Sequence, residues 1–181
     1  MKTRTLLTLG CIAVALVACS TQSKRSSPPP ATMPVDLERY QGTWYELARL
    51  PMFFQRKCVQ SEAHYGLRQD GRIDVLNRCR DKDGEVNQVN GIAEPQVAGR
   101  TDKLWVRFDN WFSRLAPDLT KGHYWVLYHD ADYNVALVGD PQRKYLWLLS
   151  RTPEVSQATT DQLLKVAHER GYDTSALIWR R

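Results

Sequence analysis

The chain lacks the short motifs that announce catalysis. It has no Gly-x-Ser-x-Gly elbow, no His-Glu-x-x-His pair, no Cys-x-x-Cys and no phosphate-cradling glycine loop. Histidine is sparse and dispersed over His64, His123, His129 and His168. His123 and His129 share a strand parity, yet six residues of strand would hold them ~20 Å apart, too far for one metal ion. Basic residues are scattered, with no long basic run, so nucleic acid is not an expected partner. No apolar run reaches the ~20 residues that a retained membrane helix needs. Cysteine is scarce too, four in 181 residues.

What the chain does have begins at its start. Met1-Lys2-Thr3-Arg4 is basic, and Leu6 to Ala18 is a nearly unbroken apolar run of 13 residues, the pattern of an export signal. The run closes on Leu16-Val17-Ala18-Cys19, which resembles the lipobox of bacterial lipoproteins. That resemblance implies cleavage before Cys19, a lipid on Cys19 and, with Ser20 following it, a place at the outer membrane, on the periplasmic side. The alternative is an ordinary secretory signal with an incidental cysteine. Residues 1–18 are thus expected as signal peptide, 19–35 as a lipidated, proline-rich tether, and 36–181 as the folded domain.

Two consequences follow. With Cys11 in the signal and Cys19 as anchor, Cys58 and Cys79 remain, and in an oxidising compartment they read as one disulfide. Closing that loop would contribute ~3 kcal/mol through the unfolded state; the alternative is a free or catalytic thiol. The formal charge of +5 falls to +3 once Lys2 and Arg4 leave, a mild excess compatible with weak attraction to anionic head groups.

From Asp36, which can cap a turn at Leu37–Tyr40, the pattern becomes period-two alternation broken by turn residues. Strands are expected at Gly42–Leu50, Ser61–Arg68, Arg72–Arg80, Glu85–Glu94, Asp102–Asp109, His123–His129, Asn134–Asp140 and Lys144–Arg151. The Asp-Gly turns are strong hairpin signals. Eight short strands in meander order predict an all-β, up-and-down antiparallel barrel. One helix follows, capped by Ser156 or Thr160 and ended by Gly171, with a narrow apolar stripe that places it outside the sheet. A run at Ala176–Trp179 could add an edge strand. Trp44 opens the first strand and Arg151 closes the last; a guanidinium stacked on the indole would seal one end of a closed sheet.

Residues 36–181 resemble a lipocalin, of the bacterial outer-membrane and apolipoprotein D branch. Three separated stretches carry this: Gly42-Thr43-Trp44-Tyr45-Glu46, Asp132-Tyr133-Asn134-Val135-Ala136-Leu137-Val138, and Leu146-Trp147-Leu148-Leu149-Ser150-Arg151-Thr152-Pro153. The resemblance implies an eight-stranded barrel with a ligand cavity, an external C-terminal helix, and fatty acids or lysophospholipids as ligands.

Parity sorts the interior. If Trp44 points in, so do Glu46 and Ala48; the same rule puts Tyr65, Asn77, Phe108, Trp147 and Leu149 inside, and Tyr124, Val126 and Tyr128 on a strand where apolar Trp125 and Leu127 leave the opposite phase open. These ten, Glu46 through Leu149, are the expected ligand wall, apolar and aromatic with sparse polar points, as an amphiphile requires. Trp44 and Arg151 are expected to be the structural base, and Tyr133 a structural turn residue. No cofactor and no metal site are expected. The expected function is lipid binding for transport, storage or scavenging in envelope maintenance, without catalysis. The alternatives are an enzyme on the same scaffold using Glu46 or a pocket tyrosine, and a filled barrel that serves as a protein-interaction module. A second copy of the chain, and a role for the Trp111–Leu115 loop as lid, membrane patch or dimer contact, stay open.

Overall fold

A computed structural model describes residues 30–109 and 121–181. The expected signal peptide, Cys19, the tether up to residue 29 and the Trp111–Leu115 loop lie outside the described residues. The elements in chain order are α1 (Leu37–Tyr40), β1 (Gly42–Arg49), β2 (Cys58–Leu67), β3 (Ile73–Asp81), β4 (Val86–Pro95), β5 (Lys103–Phe108), β6 (Gly122–His129), β7 (Val135–Gly139), β8 (Leu146–Ser150), α2 (Gln157–Glu169) and β9 (Ile178–Trp179). Successive strands β1 to β8 pair antiparallel, and β1 meets both β2 and β8, so eight strands close a barrel; β9 adds to β1. The expected architecture is therefore the one found.

Local chemistry explains the punctuation. Asp36 Oδ1 accepts from the main-chain N–H of Glu38 at 3.0 Å and of Arg39 at 3.2 Å, which caps α1. Gly71 has φ +79°, the left-handed value that the tight β2–β3 turn requires. Ser156 Oγ accepts from Thr159 N–H and starts α2.

Two apolar clusters lie on opposite faces of one sheet. Inside the barrel are Trp44, Ala63, Tyr65, Val75, Val106, Val126 and Leu149. Outside, under α2, Leu127, Leu137, Leu146 and Leu148 pack against Leu163, Val166 and Ala167. Because β7 and β8 are buried on both faces, their sequences are almost continuously apolar instead of alternating. Tyr172 locks the helix side: its hydroxyl donates to Asp140 O at 2.9 Å and accepts from Asp140 N–H at 3.1 Å. A Cβ on Gly139 would collide with that hydroxyl, so any larger residue there must displace Tyr172.

Cys58 and Cys79 form a disulfide, with Cα atoms 5.3 Å apart. The chain expected to run free up to residue 35 is already docked from Thr32. Thr32 Oγ1 donates to Asp102 at 2.6 Å, Met33 N–H to Val126 O at 2.9 Å, and Val35 N–H to Thr101 at 3.0 Å. Asp102 is the reason: a carboxylate with 1% exposure needs partners, and Thr32 and Arg100 supply them. The Arg100 guanidinium holds that carboxyl far below its usual range.

Candidate functional site

The sealed end of the barrel is built on Trp44, which has 0% exposure. Its indole N–H donates to Tyr40 O at 2.8 Å, and the Arg151 guanidinium lies over its ring at 3.9 Å. Arg151 also donates to the carbonyls of Thr43 (2.9 Å), Arg39 (2.9 Å) and Tyr133 (3.2 Å). One side chain thereby ties α1, β1 and the β6–β7 turn together, and none of these bonds points into the barrel. Tyr133 occupies that turn at φ 59°, and its hydroxyl accepts from Asp36 N–H at 2.8 Å.

Above the indole sits a tyrosine cluster. Tyr40 and Tyr124 hydroxyls are 3.0 Å apart; the Tyr40 and Tyr65 rings stack at 5.8 Å and Tyr65 meets Tyr124 edge-on at 5.9 Å. Burial pushes the Tyr65 phenol up to about 12 and raises Tyr40 and Tyr124 as well. At neutral pH the floor is uncharged: it offers hydrogen bonds but no phenolate base.

Toward the other end the interior opens. Asn77, Phe108 and Trp147 lie on inward positions yet are only half-buried, whereas Trp44, Val75 and Val126 below or beside them are buried. A solidly filled core would cover both sets. Near this mouth Glu46 Oε1 and Arg49 Nη1 form an ion pair at 2.6 Å, with both residues buried. Gln55 donates to Glu46 Oε2 at 2.8 Å and accepts the Trp147 indole N–H at 3.0 Å. Arg49 further donates to Gln55 O at 2.9 Å and Cys58 O at 2.8 Å. Among the described residues, buried Arg49 Nε and Asn77 Oδ1 have no hydrogen-bond partner.

Eight of the ten expected wall residues keep their inward positions: Glu46, Tyr65, Asn77, Phe108, Tyr124, Val126, Trp147 and Leu149. Ala48 and Tyr128 do not. Register shifts between Glu46 and Ala48 on β1 and between Val126 and Tyr128 on β6 insert an extra residue. Both side chains thus turn outward into the cluster under α2. The same bulge brings Arg49 inside, where simple alternation would not put it. Glu46 is inward as expected but not solitary, since the protein fills both its oxygens. The histidines are held apart in local contacts: His64 with Thr43, His123 on Trp105, His129 on Tyr133 and His168 with Thr174.

Residues 35–181 match the lipocalin-like domain. The chain belongs to the lipocalin family. It is 37% identical to the outer membrane lipoprotein Blc of Escherichia coli (strain K12) over 184 residues, covering 99% of this chain and 97% of that protein. It is 32% identical to apolipoprotein D of Macaca fascicularis over 160 residues, covering 84% of this chain and 80% of that protein. Among solved structures, insecticyanin from the tobacco hornworm Manduca sexta aligns with a TM-score of 0.63 at 20% identity, over 85% of this lipocalin and 84% of that chain, and supports the fold alone.

Proposed function

We propose that this lipocalin binds a single-chain amphiphile, a fatty acid or a lysophospholipid, with the tail in the barrel and the anionic head beside Arg49 and Asn77. The observation that carries this reading is the contrast between a sealed base and inward side chains at the mouth that stay half-buried. Arg49 Nε, a buried donor, is suited to the anionic oxygen of either head, and Asn77 Oδ1, a buried acceptor, to the glycerol hydroxyl of a lysophospholipid. Each methylene taken up adds ~0.8 kcal/mol, enough over one acyl chain to offset the cost of association. The outer-membrane relative Blc supports a lipid-anchored place at the outer membrane through Cys19, with transport, storage or scavenging of envelope lipids as the role. The neutral tyrosines and the paired Glu46 favour binding over catalysis. Native mass spectrometry on protein purified without delipidation tests this: a retained acyl lipid is expected. Absence of bound lipid together with no micromolar affinity for any fatty acid or lysolipid would refute it.

A further inference from the structure

The outer surface is unequally greasy. Of the six large apolar side chains that stand exposed among the described residues, five lie at the mouth end: Phe53, Phe54, Val86, Ile178 and Trp179; Val97 alone sits on a turn at the base. Phe53 is 75% exposed and Phe54 53%, on a short turn between β1 and β2 where neither stabilises the fold by burial. Water-exposed phenylalanine at this density is costly unless something covers it.

Two features say what covers it. First, the rings are a continuous series from the rim inward. Phe53 meets Phe54 at 5.3 Å, Phe54 meets Tyr145 of the β7–β8 loop at 5.6 Å, and Tyr145 meets Trp147 at 6.1 Å, already inside the barrel. Second, exposed Arg56, Lys57 and Lys144 flank these rings, while neither loop carries an exposed acid. The adjacent β3–β4 turn mixes exposed Lys82 with Asp83 and Glu85, so the purely basic, aromatic part of the rim is one-sided. Apolar rings ringed by cations match the boundary of an anionic bilayer, where rings sit among head groups and lysines meet phosphates.

We propose that the mouth docks, tilted onto its β1–β2 and β7–β8 loops, on an anionic lipid surface. Phe53 and Phe54 enter the head-group layer, and the amphiphile passes between bilayer and barrel along the aromatic series without crossing water. The reach is sufficient: twelve residues lie between Cys19 and the docked Thr32, and the Cα-to-Cα steps joining the two span up to about 45 Å of chain. The 10-residue strand β2 is about 33 Å long. An anchor on Cys19 therefore permits the mouth to turn toward the membrane. Transfer rests on the ligand reading above; docking does not.

The test uses the full lipidated chain reconstituted in phosphatidylethanolamine–phosphatidylglycerol vesicles. A fluorophore is placed at Phe53→Cys on the rim or, as control, at Gln69→Cys on an exposed turn at the base. Docking predicts quenching at position 53 by a spin-labelled lipid and protection from aqueous iodide, with the reverse at position 69. Lys57→Gln and Lys144→Gln should each lower the docked-to-free ratio about fivefold. Position 53 as open to iodide as position 69 overturns the proposal. So does a position 53 shielded from both quenchers, which would mean a second protein copy covers it. Fatty-acid affinity of Phe53→Ser/Phe54→Ser in vesicle-free solution, expected unchanged, separates a failure of docking from a failure of ligand binding.

Discussion

Replacing Arg49 by methionine keeps much of the stem's volume, removes the guanidinium, and leaves Glu46 at 6% exposure without a counter-charge. Stranding one member of a buried ion pair costs ~3–5 kcal/mol. The loss is not only Coulombic, because Arg49 also holds the β1–β2 loop through Gln55 O and Cys58 O. For a domain of this size each kcal/mol moves Tm by ~2–4 °C, so a fall of roughly 6–20 °C is expected. The double variant Glu46→Gln/Arg49→Met removes both charges and should return to within ~1–2 kcal/mol of the parent. Equilibrium urea unfolding with the disulfide intact measures both. A single variant that loses under ~1 kcal/mol, or a double no better than the single, would refute the claim that this pair is a coupled, desolvated unit. Ligand binding splits the two roles. If Arg49 receives the anionic head, affinity for a fatty acid falls by about 10–100-fold in the single and the double alike. Parent-like affinity in the stable double would move the head away from Arg49.

The remaining perturbations address the base, the floor and the helix. Arg151→Ala should lower stability by ~1–3 kcal/mol and Trp44→Ala, which empties a fully buried site, by ~3–5 kcal/mol, both read by thermal melting and changing ligand affinity only indirectly. Arg151→Lys should not rescue, because an ammonium cannot reach three carbonyls in a fork. Tyr65 keeps its proton in the folded state up to about 12 against an ordinary value of 10.0, so stability is full below the lower value and falls as pH rises toward the upper one. Its share of the loss is ~2–3 kcal/mol, and the fall in urea midpoint across that alkaline window should be shallower, not abolished, in Tyr65→Phe, because Tyr40 and Tyr124 are raised too. Gly139→Ala sets a methyl against the Tyr172 hydroxyl and should cost ~1–3 kcal/mol, with partial recovery in Gly139→Ala/Tyr172→Phe by the same melting assay.

Alternation read the barrel correctly wherever it ran unbroken. In Leu146-Trp147-Leu148-Leu149 it separated Trp147 and Leu149, inside, from Leu146 and Leu148, under the helix. It failed where a strand gained one residue, since a bulge reverses every side chain beyond it. Ala48 and Tyr128 were lost that way, and Arg49 was missed for the same reason. A lone arginine inside the apolar run Leu47-Ala48-Arg49-Leu50 was the available signal: on an outer face covered by α2 it would have no partner, so a turn of phase was needed to bring it to Glu46. Gln55 left no such trace. It reaches Glu46 and Trp147 from a loop turn, and tertiary contacts of that kind have no period to read.

The two ends of the barrel divide the work in a way that single substitutions should expose. At the base, Arg151 spends its donors on main-chain carbonyls and its face on Trp44, and nothing charged is left over for a ligand. At the mouth, Arg49 satisfies Glu46 and two carbonyls yet keeps Nε without a partner among the described residues. A buried donor left open is a standing cost that the apo protein carries and an anionic head would relieve. At equal ligand concentration, ligand should therefore stabilise the parent more than Glu46→Gln/Arg49→Met, whereas base variants should show the parent's increment on a lower starting Tm.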